Sequence, residues 1–169
     1  MDVDSAIRGR RTSKQFGSEP VDPATLRELL DLALHAPNHR LTQPWRFRVL
    51  GTETRLRLDE HCGEKEAMKL RRAPTLVLAT AALSGDPHTD TEDLAAVACA
   101  VYAVLLGATA RGLASYWRTP AAFEEEGARA ILGLDPAEQV VGLIHLGAKV
   151  SEPPRKERVP LEDVLTVLP

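Results

Sequence analysis

This 169-residue sequence contains few cysteines and few aromatic residues, and its positive and negative charges nearly balance. Two cysteines, Cys62 and Cys99, are too few for a disulfide framework and are typical of a reducing compartment. The net charge of −3 argues against nucleic acid or an anionic membrane as the main partner. The N-terminus shows no apolar signal segment, so we expect a cytoplasmic protein.

Familiar nucleotide, hydrolase and metal motifs are also absent. Neither GxGxxG nor GxxxxGK[ST] occurs, and no serine lies in a nucleophile elbow. His35 and His39 are four residues apart, and His61 is followed by Cys62, which raises the question of a zinc site. Pro37 interrupts the helical register between the first two histidines, and no CxxC or HExxH pair is present. We therefore expect no metal.

Hydrophobic residues make up 44% of the chain, which is enough for one domain with a real core over residues 1–169. Residues 94–110 carry no charge, but helix-capping residues flank this run, so we interpret it as a core helix rather than a membrane span. Apolar spacing and capping residues predict helices near 3–9, 22–36, 52–72 with a break at Gly63, 91–111 and 119–133. Alternating or continuous apolar runs predict strands near 45–49, 73–81, 114–119 and 139–148.

Two basic islands stand out in this acidic chain. One contains Arg8, Arg10, Arg11 and Lys14, and the other, in the stretch 155–158, contains Arg155, Lys156 and Arg158. If the fold brings them together, they form a pocket for an anion such as phosphate, because guanidinium and ammonium groups match its oxygens. If it does not, each island is an ordinary solvated surface. The sequence alone leaves both interpretations open.

Three stretches, "RGRRTSKQF", "APNHRLTQPWRF" and "LGAKVSEPPRKERVPLEDVL", together resemble the signature segments of the FMN-dependent nitroreductase family in its short form. Their order and spacing cover nearly the whole chain. The resemblance implies an α+β fold with a central mixed or antiparallel sheet flanked by helices, and a homodimer with FMN at the subunit interface.

The resemblance also implies which residues hold the cofactor. Family members grip FMN with a segment that corresponds here to Arg10, Arg11, Thr12 and Lys14, and they bind its phosphate with a C-terminal pair that corresponds to Lys156 and Arg158. On the charges of FMN, Arg10 suits the phosphate, and Lys14 suits the pyrimidine edge that becomes anionic on reduction.

Further contacts are implied near the flavin ring. His35 and His39 would reach it from the other subunit, and the stretch 116–119 would pass beside it, with Trp117, Arg118 and Thr119 as contacts. Trp45 is expected in the core instead. The chain departs from the family pattern at Leu41, where an asparagine is usual, and we expect His39 to replace the lost polar contact.

The function expected from the resemblance is hydride transfer from NADH or NADPH to FMN, followed by reduction of a small acceptor such as a nitroaromatic or a quinone. No catalytic side chain is expected, because the hydride chemistry takes place at flavin N5. Three alternatives remain: a flavin-binding or flavin-modifying relative without reductase turnover, a zinc hydrolase using His35, His39, His61 and Cys62, and a cofactor-free dimeric interaction module.

Overall fold

The computed structural model describes residues 1–169 and has a four-stranded antiparallel sheet at its centre. The strands are β1 (Trp45–Val49), β2 (Thr75–Ala82), β3 (Leu113–Arg118) and β4 (Glu138–Ala148), in the spatial order β1-β2-β4-β3. β2 and β4 lie in the middle and pair along most of their length, with an irregularity between Ala79 and Thr80. The expected α+β class with a central antiparallel sheet is confirmed.

Six helices surround the sheet: α1 (Val3–Gly9), α2 (Pro23–Ala33), α3 (Thr52–Cys62), α4 (Glu64–Leu70), α5 (Pro87–Ala110) and α6 (Glu126–Leu132). α2 begins as predicted, because the side chain of Asp22 accepts a hydrogen bond from the backbone of Thr25 and Pro23 occupies the first turn. The predicted break at Gly63 is also confirmed, since this glycine adopts φ 75° between α3 and α4.

The two faces of the sheet bury separate hydrophobic clusters. On one face, α2 and α5 pack over alternate residues of β2 and β4, including Val77, Ala79 and Ile144, and Trp45 belongs to this core as expected. On the other face, α3, α4 and α6 cover Leu76 and Leu143. Because successive side chains of a strand point to opposite faces of the sheet, each central strand is buried on both faces.

Two predicted helix boundaries are wrong. The long helix starts at Pro87 rather than near residue 91, because the side chain of Asp86 caps it through the backbone of Thr89. The helix predicted over 119–133 is divided into a single 3₁₀ turn, Ala121–Glu124, and α6. Phe123 is completely buried in the second cluster, and Glu125 turns to an extended conformation before α6 begins.

One side of α5 is not covered by the rest of the chain. By length and composition this helix could cross a membrane, but half of its most apolar window is buried inside the fold, as in a core helix. From residue 95 onwards its exposed residues recur at helical spacing and are Ala95, Cys99, Tyr102 and Ala110, with the half-buried Leu106 on the same side.

A buried charge network ties β1, β2 and β4 together and predicts an acid-labile fold. Arg48 contacts both carboxylate oxygens of Glu138 at 2.7 Å, and Thr80 also donates to this carboxylate. The Arg48 hydrogen bonds lower the pKa of Glu138 from 4.5 to about 2. A lowered folded-state pKa stabilises the fold above the unfolded-state value, and this stability is lost as the pH falls through the folded-state pKa.

We therefore expect Glu138→Gln to lower the free energy of unfolding at neutral pH by about 2–3 kcal/mol and to flatten its decline between about pH 5 and pH 2. Urea unfolding across this pH range measures both effects. The exposed Glu53, which makes no ion pair, gives the matched control Glu53→Gln. A variant that declines with acid as steeply as the wild type would contradict the assignment.

Candidate functional site

The two basic islands line one cavity of about 530 Å³. The N-terminal island contributes cations from the end of α1 and the segment that follows it, and the C-terminal island contributes cations from the tail that follows β4. The cations that line the cavity are Arg8, Arg10, Arg11, Arg155, Lys156 and Arg158. The hypothesis that the fold joins the islands is confirmed.

The sheet edge explains how residues so far apart in sequence meet. Thr12 bridges to Ser115 in β3, and the backbone of Ser13 donates to the carbonyl of Ser115 at 3.0 Å. A few residues later the backbone of Gly17 donates to Ala148 at the end of β4, also at 3.0 Å. The segment that follows α1 is thus fixed against β3 and the end of β4, and the C-terminal tail begins at that end of β4.

The cavity has an excess of positive charge, and none of its cations is engaged in an ion pair. None of the six cations forms an ion pair, whereas Arg48, Arg71 and Arg129 elsewhere all contact carboxylates. No aspartate or glutamate lines the cavity. Arg11 also donates to the carbonyls of Arg8 and Arg10, at 2.6 and 2.9 Å, which fixes the turn between helix and segment. This arrangement suits a multiply charged anion.

Lys14 and Thr12 occupy different positions relative to this cavity. Thr12 lines it beside the arginines, whereas Lys14 is exposed and lies beyond it, between the two bridges to the sheet. The segment therefore places Lys14 apart from the six cations that line the cavity.

An apolar groove of about 810 Å³ adjoins the basic cavity. It runs between α1, the end of α2 and the uncovered side of α5, and most of its lining is hydrophobic. Tyr102 of α5 lines both the groove and the basic cavity. A molecule seated in the groove would therefore border the anion site.

The two histidines expected to act across an interface lie at and beyond the end of this groove. His35 lines the groove and is exposed, with its ring 3.9 Å from Asp31. His39 lies in the following loop, where its Nδ1 is 3.2 Å from a carboxylate oxygen of Glu92. No three side chains of His, Cys, Asp or Glu in the chain are arranged to hold a metal ion. The zinc-hydrolase alternative therefore gains no support from the geometry.

The stretch at the end of β3 presents its side chains in different directions. Trp117 packs against the α2/α5 cluster, and its indole nitrogen donates to the carbonyl of Val141 at 3.2 Å. Arg118 is buried and pairs with Glu66 of α4, on the opposite face. Thr119 is exposed. Within one subunit, a planar ring cannot lie against the side chains of both Trp117 and Arg118.

His145 is a packed core residue. It is completely buried in β4, and its ring stacks near Phe16 and Tyr116, with centroid distances of 6.4 and 5.3 Å. Burial and nearby arginines lower its pKa to about 3. The imidazole is therefore neutral near pH 7 and adds no charge to the site.

Sequence reasoning missed Tyr102 and Asp93 of α5. Tyr102 was hidden inside an apolar run, although it is the one aromatic residue there. The helix start predicted near residue 91 puts Asp93 in the first turn. It lies instead almost two turns inside α5, buried against the loop that contains His39.

Comparison with known proteins agrees with the fold. The family model described as "Nitroreductase family" matches residues 7–69 and 63–148. The chain is 26% identical to YfhC of Bacillus subtilis (strain 168), provisionally named an NAD(P)H nitroreductase, over 95% of this chain and 91% of that protein. It is 27% identical to YdjA of Escherichia coli (strain K12), named in the same way, over 87% and 88% of the two chains.

Solved structures show the same architecture. A nitroreductase-like family protein from Bacillus cereus superposes with a TM-score of 0.90 at 23% identity, covering 99% of this chain and 96% of that one. A structure named as a nitroreductase of Desulfovibrio desulfuricans in complex with FMN gives a TM-score of 0.80 at 26% identity, with the same coverage. The family model spans most of the sequence and the fold agrees with it, so the chain belongs to the nitroreductase family.

Proposed function

We propose that residues 1–169 act as one flavoprotein domain, an FMN-dependent oxidoreductase that takes electrons from NADH or NADPH and reduces a nitroaromatic, a quinone or a related small acceptor. The observation that carries the proposal is the cavity of unpaired cations built by the two basic islands. The cytoplasm is the proposed location, since both cysteines are free thiols.

The residues present fit FMN. Its phosphate needs several donors without competing carboxylates, and Arg10, Lys156 and Arg158 supply them in the basic cavity. Arg11 and Thr12 complete the wall near the phosphate. The exposed Lys14 is free to face the pyrimidine edge of the ring. FMN, when bound, supplies the redox chemistry by accepting a hydride from NAD(P)H and passing the two electrons to the acceptor.

In this proposal the protein's own residues bind and orient FMN, and none of them transfers a proton in the hydride step. The cations hold the cofactor by its phosphate, and the end of β3 provides a rigid edge beside the ring. Because Trp117 and Arg118 are engaged in opposite cores, we propose that this stretch contacts the ring through its backbone and through Thr119.

The apolar groove supports a homodimer. Its floor on α5 contains no charged residue from Ala98 to Ala110, and an exposed apolar surface of this kind is typical of a protein interface. A second copy is the proposed occupant, because Tyr102 then brings the interface to the edge of the basic cavity. His35 and His39, at and beyond the end of the groove, would reach the flavin of the partner subunit.

Three measurements test the proposal. Purified protein reconstituted with FMN is expected to retain stoichiometric flavin after gel filtration and to sediment at twice the 18.4 kDa chain mass at micromolar concentration. Under anaerobic conditions, NADH or NADPH is expected to bleach the bound flavin. A protein that binds no flavin contradicts the proposal, and flavin binding without bleaching favours a relative that binds flavin without reductase turnover.

A further inference from the structure

The basic cavity contains more cations than one phosphate group needs. Arg10, Lys156 and Arg158 supply the donors for the phosphate of FMN, whereas Arg8 and Arg155 line the same cavity without a role in that contact. A phosphate monoester carries about two negative charges at neutral pH, against six lining cations. A cavity lined by charges of one sign attracts ions of the opposite sign, so this surplus predicts a ligand with further negative charge.

The cavity is also larger than one phosphate group. Its volume of about 530 Å³ lies within the range that is typical of a site for a whole small ligand. The uncharged part of its wall is formed by Ile7, Thr12, Tyr102 and Pro154. Tyr102 gives this wall an aromatic ring, on which a purine base can stack. The cavity therefore has room for a sugar and a base as well as for a second phosphate.

The distance from this cavity to the end of β3 limits what the second ligand can be. Thr12 lines the cavity and bridges to Ser115, and the end of β3 at Arg118 lies three residues further along the strand. A strand rises about 3.3 Å per residue, so the cavity and the strand end are about 10 Å apart. In the proposed function the flavin ring lies at that strand end, where the nicotinamide of the electron donor must meet it. A donor whose charged end is far from its nicotinamide can reach both places at once.

We infer that the basic cavity binds the 2′-phosphate of NADPH beside the phosphate of FMN, and that Arg8 and Arg155 select NADPH over NADH. This inference rests on the proposed function and names the electron donor that the same site takes. NADPH differs from NADH only in this phosphate, which lies at the adenosine end of the molecule. Guanidinium groups match phosphate oxygens in geometry and charge, so two further arginines suit a second phosphate. Two phosphate monoesters bring about four negative charges to the six cations.

The probe for this site is 2′,5′-ADP, which is the adenosine end of NADPH without the nicotinamide. Isothermal titration calorimetry on the FMN-loaded protein is expected to show that 2′,5′-ADP binds at least about tenfold more tightly than 5′-AMP, which lacks only the 2′-phosphate. Flavin fluorescence is expected to show that FMN stays bound during this titration. Displacement of FMN by the probe would contradict the inference, because the cavity would then hold only one phosphate at a time.

Arg8→Ala and Arg155→Ala test the two selecting residues. Each variant is expected to weaken 2′,5′-ADP binding by roughly 5- to 20-fold and to lower the ratio of kcat/KM for NADPH to that for NADH by a similar factor. Each should lose less FMN affinity than Arg10→Ala. Arg57→Ala is the matched control, because this exposed arginine of α3 lies outside the cavity. The control removes the same charge and should keep the wild-type probe affinity and donor ratio.

The outcomes distinguish this inference from the proposed function. A wild-type protein that binds FMN and uses NADH as well as NADPH overturns the inference while the proposed function stands. Variants at Arg8 and Arg155 that behave like Arg57→Ala have the same consequence. If they instead lose FMN as severely as Arg10→Ala with an unchanged donor ratio, both arginines belong to the FMN phosphate and the inference is wrong. A wild-type protein that binds no FMN overturns the proposed function itself.

Discussion

Replacing Arg10 by alanine is expected to weaken FMN binding by roughly 30- to 150-fold, equally for the oxidised and the reduced cofactor. A charge-assisted contact to phosphate contributes about 2–3 kcal/mol, and every 1.4 kcal/mol is tenfold in affinity. Arg10 lines the basic cavity and makes no ion pair within the chain, so its guanidinium is available to the phosphate. The phosphate carries the same charge in both redox states, which explains why both affinities should fall together.

Lys14→Ala is the matched comparison, since it removes one positive charge from the same segment but outside the cavity. Lys14 faces the ring in this proposal, and the ring becomes anionic only on reduction. We therefore expect a small change in affinity for oxidised FMN and a fall in the flavin midpoint potential of roughly 30 mV for each tenfold preferential loss of reduced-state binding.

Fluorescence titration with FMN and anaerobic potentiometry separate the two roles. Lys156→Ala should resemble Arg10→Ala, because Lys156 lines the same cavity from the C-terminal tail. Equal losses of affinity in the Arg10 and Lys14 variants, with an unchanged potential in both, would contradict the division of roles between phosphate and ring.

Most helices and strands could be predicted from the sequence, because the local signals that define them act over only a few residues. The capping aspartate and proline of α2, the alternation of β1 and the glycine between α3 and α4 each fix their own surroundings. The same aspartate-proline signal is present at Asp86 and Pro87. The helix was nevertheless predicted to begin near residue 91, because polar residues follow this signal before the apolar run begins.

The features that could not be predicted from the sequence depend on packing between residues far apart in the chain. The break before α6 depends on Phe123 entering a core made largely by other elements, and neighbouring residues do not reveal that core. The partner of Arg118 lies on α4, more than 50 residues earlier in the chain. The joining of the two basic islands was only one of two open interpretations until the bridges to β3 and β4 placed them together.

Ala103→Arg is expected to dissociate the dimer and to remove FMN with it. Ala103 lines the apolar groove on α5, so the variant places a guanidinium on a surface that is apolar on both sides of the proposed interface. An unpaired charge buried in such an interface costs several kcal/mol, which corresponds to a loss of roughly 100-fold or more in dimer affinity. Sedimentation velocity over a range of protein concentrations measures this loss.

The matched control is Ala130→Arg, which makes the same change at an exposed alanine of α6, on the face of the sheet away from the groove. This variant should remain dimeric and retain bound FMN. A dimeric Ala103→Arg protein would show that the groove is not the interface. A monomer that binds FMN as tightly as the wild type would show that the site is complete within one subunit.

Reciprocal linkage gives the same variant a second, independent readout. If dimerisation tightens FMN binding by some factor, then FMN must tighten dimerisation by a corresponding factor, because both paths lead to the same bound dimer. Saturating FMN should therefore recover part of the dimer in Ala103→Arg. The basic cavity and the groove meet at Tyr102, so this coupling needs no long pathway through the protein. If the dimerisation constant does not change when FMN is added, the groove and the basic cavity are not coupled. This would hold even if the groove binds a second copy and the cavity binds FMN.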